Sequence, residues 1–64
     1  MLDREAYSIG YKFGEAARSG IRPRLRALEV PLPGEIVQHT SQATAFRIGY
    51  RDGLKRRTPT AIKR

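Results

Sequence analysis

The sequence predicts an all-α fold: a small two-helix hairpin with a long, partly ordered, Pro-containing connection packed on the helices. Three observations predict it. The phrase AYSIGYKFG at residues 6–14 returns in near-identical register as AFRIGYRDG at residues 45–53. Each copy carries small residues at the four-residue spacing of a helix face. Between the copies lie Pro23, Pro31 and Pro33, which oppose a continuous helix. At 64 residues the chain is one domain, residues 1–64, with a small core.

The first helix is predicted over about residues 3–18. Asp3 is placed to cap it, with Glu5 in the first turn, where the helix dipole favours negative charge. Ser19-Gly20 is a common C-terminal stop. The connection, residues 19–40, is unusually long for a compact domain. Its Ile21, Leu25, Leu28, Val30, Leu32, Ile36 and Val37 are too apolar for a free linker, so it is expected to lie across the helices and supply much of the core. Arg24 to Val30 could form a short helical turn, and Pro33-Gly34 is a turn signal. The second helix is predicted over about residues 41–57, capped by Thr40 or Ser41 and ended before Pro59. Residues 58–64 read as a basic tail.

On a helix turning about 100° per residue, Ala6, Gly10 and Gly14 form one stripe, and Ala45, Gly49 and Gly53 form another. Tyr7 and Tyr11 flank the first, Phe46 and Tyr50 the second. A glycine inside a helix costs about 1 kcal/mol relative to alanine, so four of them need a structural reason. Close approach of two backbones is such a reason. The expectation is a tight, pseudo-symmetric crossing of the two helices within one chain, with the aromatic rings covering it. Pairing of the same stripes between two chains, giving a homodimer, is the alternative. Phe13 and Phe46 are read as core, whereas Tyr11 and Tyr50 could also offer a hydroxyl to a phosphate.

Charge points to the partner. The chain has 13 Lys and Arg against 6 Asp and Glu, net +7. Residues 1–40 hold six basic and five acidic residues; residues 41–64 hold seven and one. Such a field favours a polyanion: RNA, DNA, an anionic membrane or an acidic protein. Arg47, Arg51 and Lys55 recur on one face of the second helix, and Arg56 and Arg57 continue it. Arg22, Arg24 and Arg26 form a second basic group in an extended stretch, where alternate side chains share a face. A nucleic-acid backbone could lie between the two groups, with affinity that falls steeply with salt. The outer face of the first helix, with Ser8, Lys12 and Glu15, is mixed.

Several classes are disfavoured. There is no Cys and one His, so neither a disulfide framework nor an ordinary metal site is expected. No nucleophile-base set or phosphate-cradling glycine loop is present, so no enzyme and no cofactor are expected. His39 reads as a loop or pre-cap residue rather than a ligand. No apolar run approaches a membrane span and no signal peptide is recognisable, so no membrane partner and a cytoplasmic location are expected.

The two phrases resemble the ribosome modulation factor family, small basic bacterial proteins of two helices and a connection. The first-helix residues that match are Ala6, Gly10, Tyr11, Gly14 and Arg18; the second-helix residues are Phe46, Gly49, Tyr50, Arg51, Asp52 and Gly53. The family's connection is shorter and carries a Cys-Pro-Tyr element, and its second-helix aromatics are typically Trp. The resemblance implies binding to ribosomal RNA of the small subunit and silencing or protection of ribosomes, as in hibernation. On that reading Arg47, Arg51, Lys55, Arg56 and Arg57 contact phosphates, and Arg22, Arg24 and Arg26 support them. Lys12, Arg18, Tyr11 and Tyr50 are further candidate RNA contacts. Two rivals remain open: a small basic protein–protein inhibitor or adaptor, of the kind a mobile element carries, and non-specific DNA binding.

Overall fold

A computed structural model describes residues 2–55. The chain is all-α in order α1 (Asp3–Arg18), a one-turn 3-10 helix (Ala27–Glu29) and α2 (Ser41–Lys55). Residues 56 and 57, with which the sequence ends the second helix, and the tail after them lie outside the described residues.

The start of α1 differs from expectation. Leu2 is the N-cap residue and Asp3 is already helical. The Glu5 carboxylate accepts the Leu2 N–H at 3.0 Å, and that contact closes the first turn. Asp3 is therefore no cap; its Oδ1 accepts a hydrogen bond from the Ser41 hydroxyl at 3.0 Å and ties the starts of the two helices together. With Ser41 so engaged, Thr40 takes the cap of α2: its Oγ1 accepts the Ala43 N–H at 3.4 Å. The other end of α1 closes with Ser19 as C-cap and Gly20 at φ +84°. Ile21 N–H reaches Ala16 O at 2.9 Å and Gly20 N–H reaches Ala17 O at 3.2 Å, the paired bonds of a Schellman ending.

The glycine stripes meet within the chain. A Cβ built on Gly10 would fall into the Phe46 carbonyl, and one on Gly49 into the Tyr7 carbonyl. Gly14 faces the Tyr50 carbonyl, and Gly53 the Tyr11 carbonyl. A hydrogen of each glycine thus points at a carbonyl oxygen of the facing helix, the arrangement of a Cα–H···O contact. One constant offset in sequence carries each contact onto its mate: Gly10 to Gly49, Phe46 back to Tyr7, Gly14 to Gly53, Tyr50 back to Tyr11. The repeated phrase is thus a pseudo-twofold axis written into the sequence.

The contacts advance together along both helices, Gly10 at Phe46 and Gly14 at Tyr50, so the helices run in the same sense. Asp3 meets Ser41 at one end, and Arg18 meets Gly53 at the other. Parallel helices cannot be joined by a tight turn, because the chain must first travel back about 24 Å, the length of a 16-residue helix. This is the physical reason for the long connection. It lies on the helices as a single layer and buries only one of its sides. Val30 and Ile36 are buried and Leu32 packs partly against the core. Ile21 and Leu28 are 80% exposed and Val37 is 62% exposed. The connection therefore contributes less to the core than its composition suggests. Ala6, Tyr7, Ala45, Phe46 and Tyr50 form most of the rest.

Candidate nucleic-acid interface

The site is built by one side chain. Tyr50 projects from α2 and is buried. Its hydroxyl donates to Leu25 O at 2.9 Å and accepts from Leu25 N–H at 3.0 Å. Both backbone groups of Leu25 are held at once, so this stretch of the connection is pinned beside α2. The 3-10 turn that follows is fixed at its own start, where the Glu29 carboxylate accepts the Arg26 N–H at 3.3 Å.

The pinned segment and the last turns of α2 enclose an open cleft of about 410 Å³. Its walls are Arg24, Leu25, Arg26 and Ala27 on one side and Tyr50, Arg51, Leu54 and Lys55 on the other. The surface inside is mainly apolar. Leu25, Ala27 and Leu54 are among the residues that line it, and Tyr50, 2% exposed, stands behind them. Arg24, Arg26, Arg51 and Lys55 are all solvent-exposed, and among the described residues no acidic one lines the cleft. Asp52, the acid nearest in sequence, is buried on the other side of α2, where its Oδ2 accepts the Tyr7 hydroxyl at 2.5 Å.

The α2 C-terminus carries the negative end of the helix dipole, which opposes anion binding there. Two cations offset it. Lys55 sits in the last turn. Arg18, from the end of α1, donates through Nε to Gly53 O at 3.2 Å.

The expected basic residues divide between this cleft and other places. Arg24, Arg26, Arg51 and Lys55 come together. Arg22 does not join them: its guanidinium lies 4.1 Å from the centroid of the Phe13 ring. A cation over an aromatic face gains electrostatic attraction, and this draws Arg22 to a second, smaller cavity of about 200 Å³ between the connection and the two helices, lined by Phe13 of α1 and Tyr50 of α2. Arg47 also departs from the exposed row. It is half-buried, and its Nε is shielded with no hydrogen-bond partner among the described residues. Lys12 is exposed on α1, away from the cleft lining. Tyr11 is half-buried, its ring 6.2 Å from that of Tyr7. Tyr50 lines the cleft, but its hydroxyl is taken by Leu25 rather than offered to a phosphate. Arg56 and Arg57 lie outside the described residues.

Sequence reasoning missed the apolar part of the cleft. A signal existed: Leu25 and Ala27 alternate with Arg24 and Arg26, so apolar side chains sit among the basic ones. Among the described residues no group of three His, Asp or Glu could hold a metal ion, and no helix is long and apolar enough to cross a membrane.

Comparison with protein-family models, with curated proteins and with solved structures finds no match for this chain.

Proposed function

We propose that this protein is a ribosome-associated, rRNA-binding factor that silences or protects ribosomes by occupying the small subunit, without catalysis. The observation that carries the nucleic-acid part is the convergence of Arg24, Arg26, Arg51 and Lys55 on one cleft that no acid among the described residues lines. Two of these cations come from the connection and two from α2, so segments distant in sequence build one positive surface. Arginine's planar fork suits phosphate oxygens, and three of the four are arginines. The ribosomal part rests on the resemblance of both helical phrases to ribosome modulation factors.

The test is sedimentation of lysate from slowly growing cells through a sucrose gradient, at low and high salt. Co-migration with small subunits or ribosome dimers, lost at high salt, supports the reading. The double reversal Arg24→Glu/Arg51→Glu is expected to abolish co-migration while the helical circular dichroism is retained. Normal co-migration of that variant would remove the cleft from the interface.

A second reading is favoured by a different observation. Ile21, Leu28 and Val37 are large apolar side chains left exposed on the connection. They suit a protein partner, as in a small inhibitor or adaptor. Nuclease treatment separates the two readings: a partner that survives it on affinity capture is a protein, and recovery that depends on RNA is not.

A further inference from the structure

The cleft is open and mainly apolar inside, and four solvent-exposed cations are among the residues that line it. A double helix would meet such a site badly. It presents a convex phosphate backbone, with its bases stacked and paired inside, so the four cations would be neutralised while the apolar surface stayed unfilled. A single strand carries the same phosphates and in addition has bases that can be splayed out and packed on apolar or aromatic surface. We propose that the cleft holds one unpaired base of a single-stranded RNA, with the flanking phosphates on Arg24 and Arg26 to one side and Arg51 and Lys55 to the other. This rests on the nucleic-acid reading above and narrows it to strand state.

Three features support this occupant over charge attraction alone. The cleft volume, about 410 Å³, lies in the range of about 300–1,000 Å³ in which proteins enclose small organic groups. The cations stand on both walls, so phosphates before and after the inserted base each find a partner. Finally, the wall is fixed before binding, because both hydrogen bonds of the Tyr50 hydroxyl hold Leu25 in place. A preformed cleft spares the ordering cost that a mobile arginine-rich loop would carry. Tyr50 is thus a positioning residue: it holds the wall and leaves the phosphates to its cationic neighbours.

The experiment is fluorescence anisotropy with the full chain and three labelled probes of equal length. They are a single-stranded RNA, the same strand with abasic sites throughout, and the blunt duplex of the same sequence. Expected is tightest binding to the intact strand, with at least tenfold loss on the abasic strand and on the duplex. Engagement of four phosphates on a single strand gives a log–log salt slope of about −3, hence a loss of about fiftyfold between 50 and 200 mM salt. Tyr50→Phe is expected to lower affinity for the intact strand several-fold and to leave the abasic strand bound as before, a split that general destabilisation would not produce. Its fold is checked in parallel by circular dichroism. Equal affinity for intact and abasic strands overturns the base-binding proposal and leaves the nucleic-acid reading standing. Tighter binding to the duplex does the same. Failure to bind any of the three at low salt overturns both.

Discussion

At Gly10 and Gly49 helix propensity and packing pull in opposite directions, and the magnitudes decide between them. Alanine would gain about 1 kcal/mol of propensity. It would also drive a methyl into the carbonyl of Phe46 or Tyr7, which is backbone and has nowhere to go. Overpacking of this sort costs about 1–3 kcal/mol or more. Gly10→Ala and Gly49→Ala are therefore expected to lower stability by about 1–2 kcal/mol in urea denaturation followed by circular dichroism. Gly34 is the control. Nothing lies within 4 Å of a Cβ built there, so Gly34→Ala is expected to be neutral or stabilising by up to about 1 kcal/mol. A higher melting temperature for Gly10→Ala would remove the close-contact account of the repeated phrase. The second residue-scale feature is a break in the symmetry. The axis that carries Tyr7 onto Phe46 carries Phe13 onto Asp52. One half of the crossing thus has a Tyr hydroxyl on a buried carboxylate at 2.5 Å, the other an edge-on Phe13–Phe46 pair at 5.3 Å between ring centroids. Tyr7→Phe takes a donor from a buried charge and is expected to cost about 1–3 kcal/mol, measured the same way. A neutral result would mean that Asp52 is served by its other contacts.

Between elements, the mismatched pairs set which helix meets which. If α2 paired with a second α2 in the same geometry, each Asp52 would face a Phe46 ring, and its charge would lose the Tyr7 hydroxyl. Pairing α1 with α2 avoids this. The buried Asp52 thus supplies a physical reason for α2 to meet α1 rather than a second α2. At the ends of the elements, Thr40→Ala removes the α2 cap and is expected to cost about 1 kcal/mol. Asp3→Asn keeps an acceptor for Ser41 and is expected to change stability by a few tenths of a kcal/mol, since the contact is exposed. A cost at Asp3 as large as that at Thr40 would restore Asp3 as the principal N-terminal anchor.

For the whole molecule, stability and binding compete for the same residues. A domain of 64 residues has roughly 3–10 kcal/mol of stability at the usual 0.05–0.15 kcal/mol per residue. The row Arg47, Arg51, Lys55 places like charges four residues apart, at a cost of about 0.2–0.5 kcal/mol per pair. Arg51→Gln is expected to stabilise the fold by about that much while weakening RNA binding and flattening its salt dependence by about one in slope. Thermal melting and anisotropy on the same sample check both halves. Loss of stability together with loss of binding would mean that Arg51 holds the fold.

Much of this architecture was legible in the repeat. The glycine spacing and its flanking rings announced two helices in backbone contact, because only a crossing without side chains accounts for four helical glycines. Punctuation at Gly20 and Thr40 marked ends that hydrogen bonds then closed. Composition could not say which side of the connection faces inward: Ile21 and Leu28 are as apolar as Val30 and Ile36, but a single layer of chain buries one side alone. Periodicity likewise put Arg47 in line with Arg51 and Lys55, whereas packing half-buried it. The sequence by itself determined the all-α class, the repeated contact and the excess positive charge, since these follow from local spacing and residue type. Only the tertiary structure decided that the helices run in the same sense, and that the Tyr50 hydroxyl pins Leu25 so that cations from two distant segments share one cleft. Those depend on contacts between residues far apart in the chain, which no local spacing encodes.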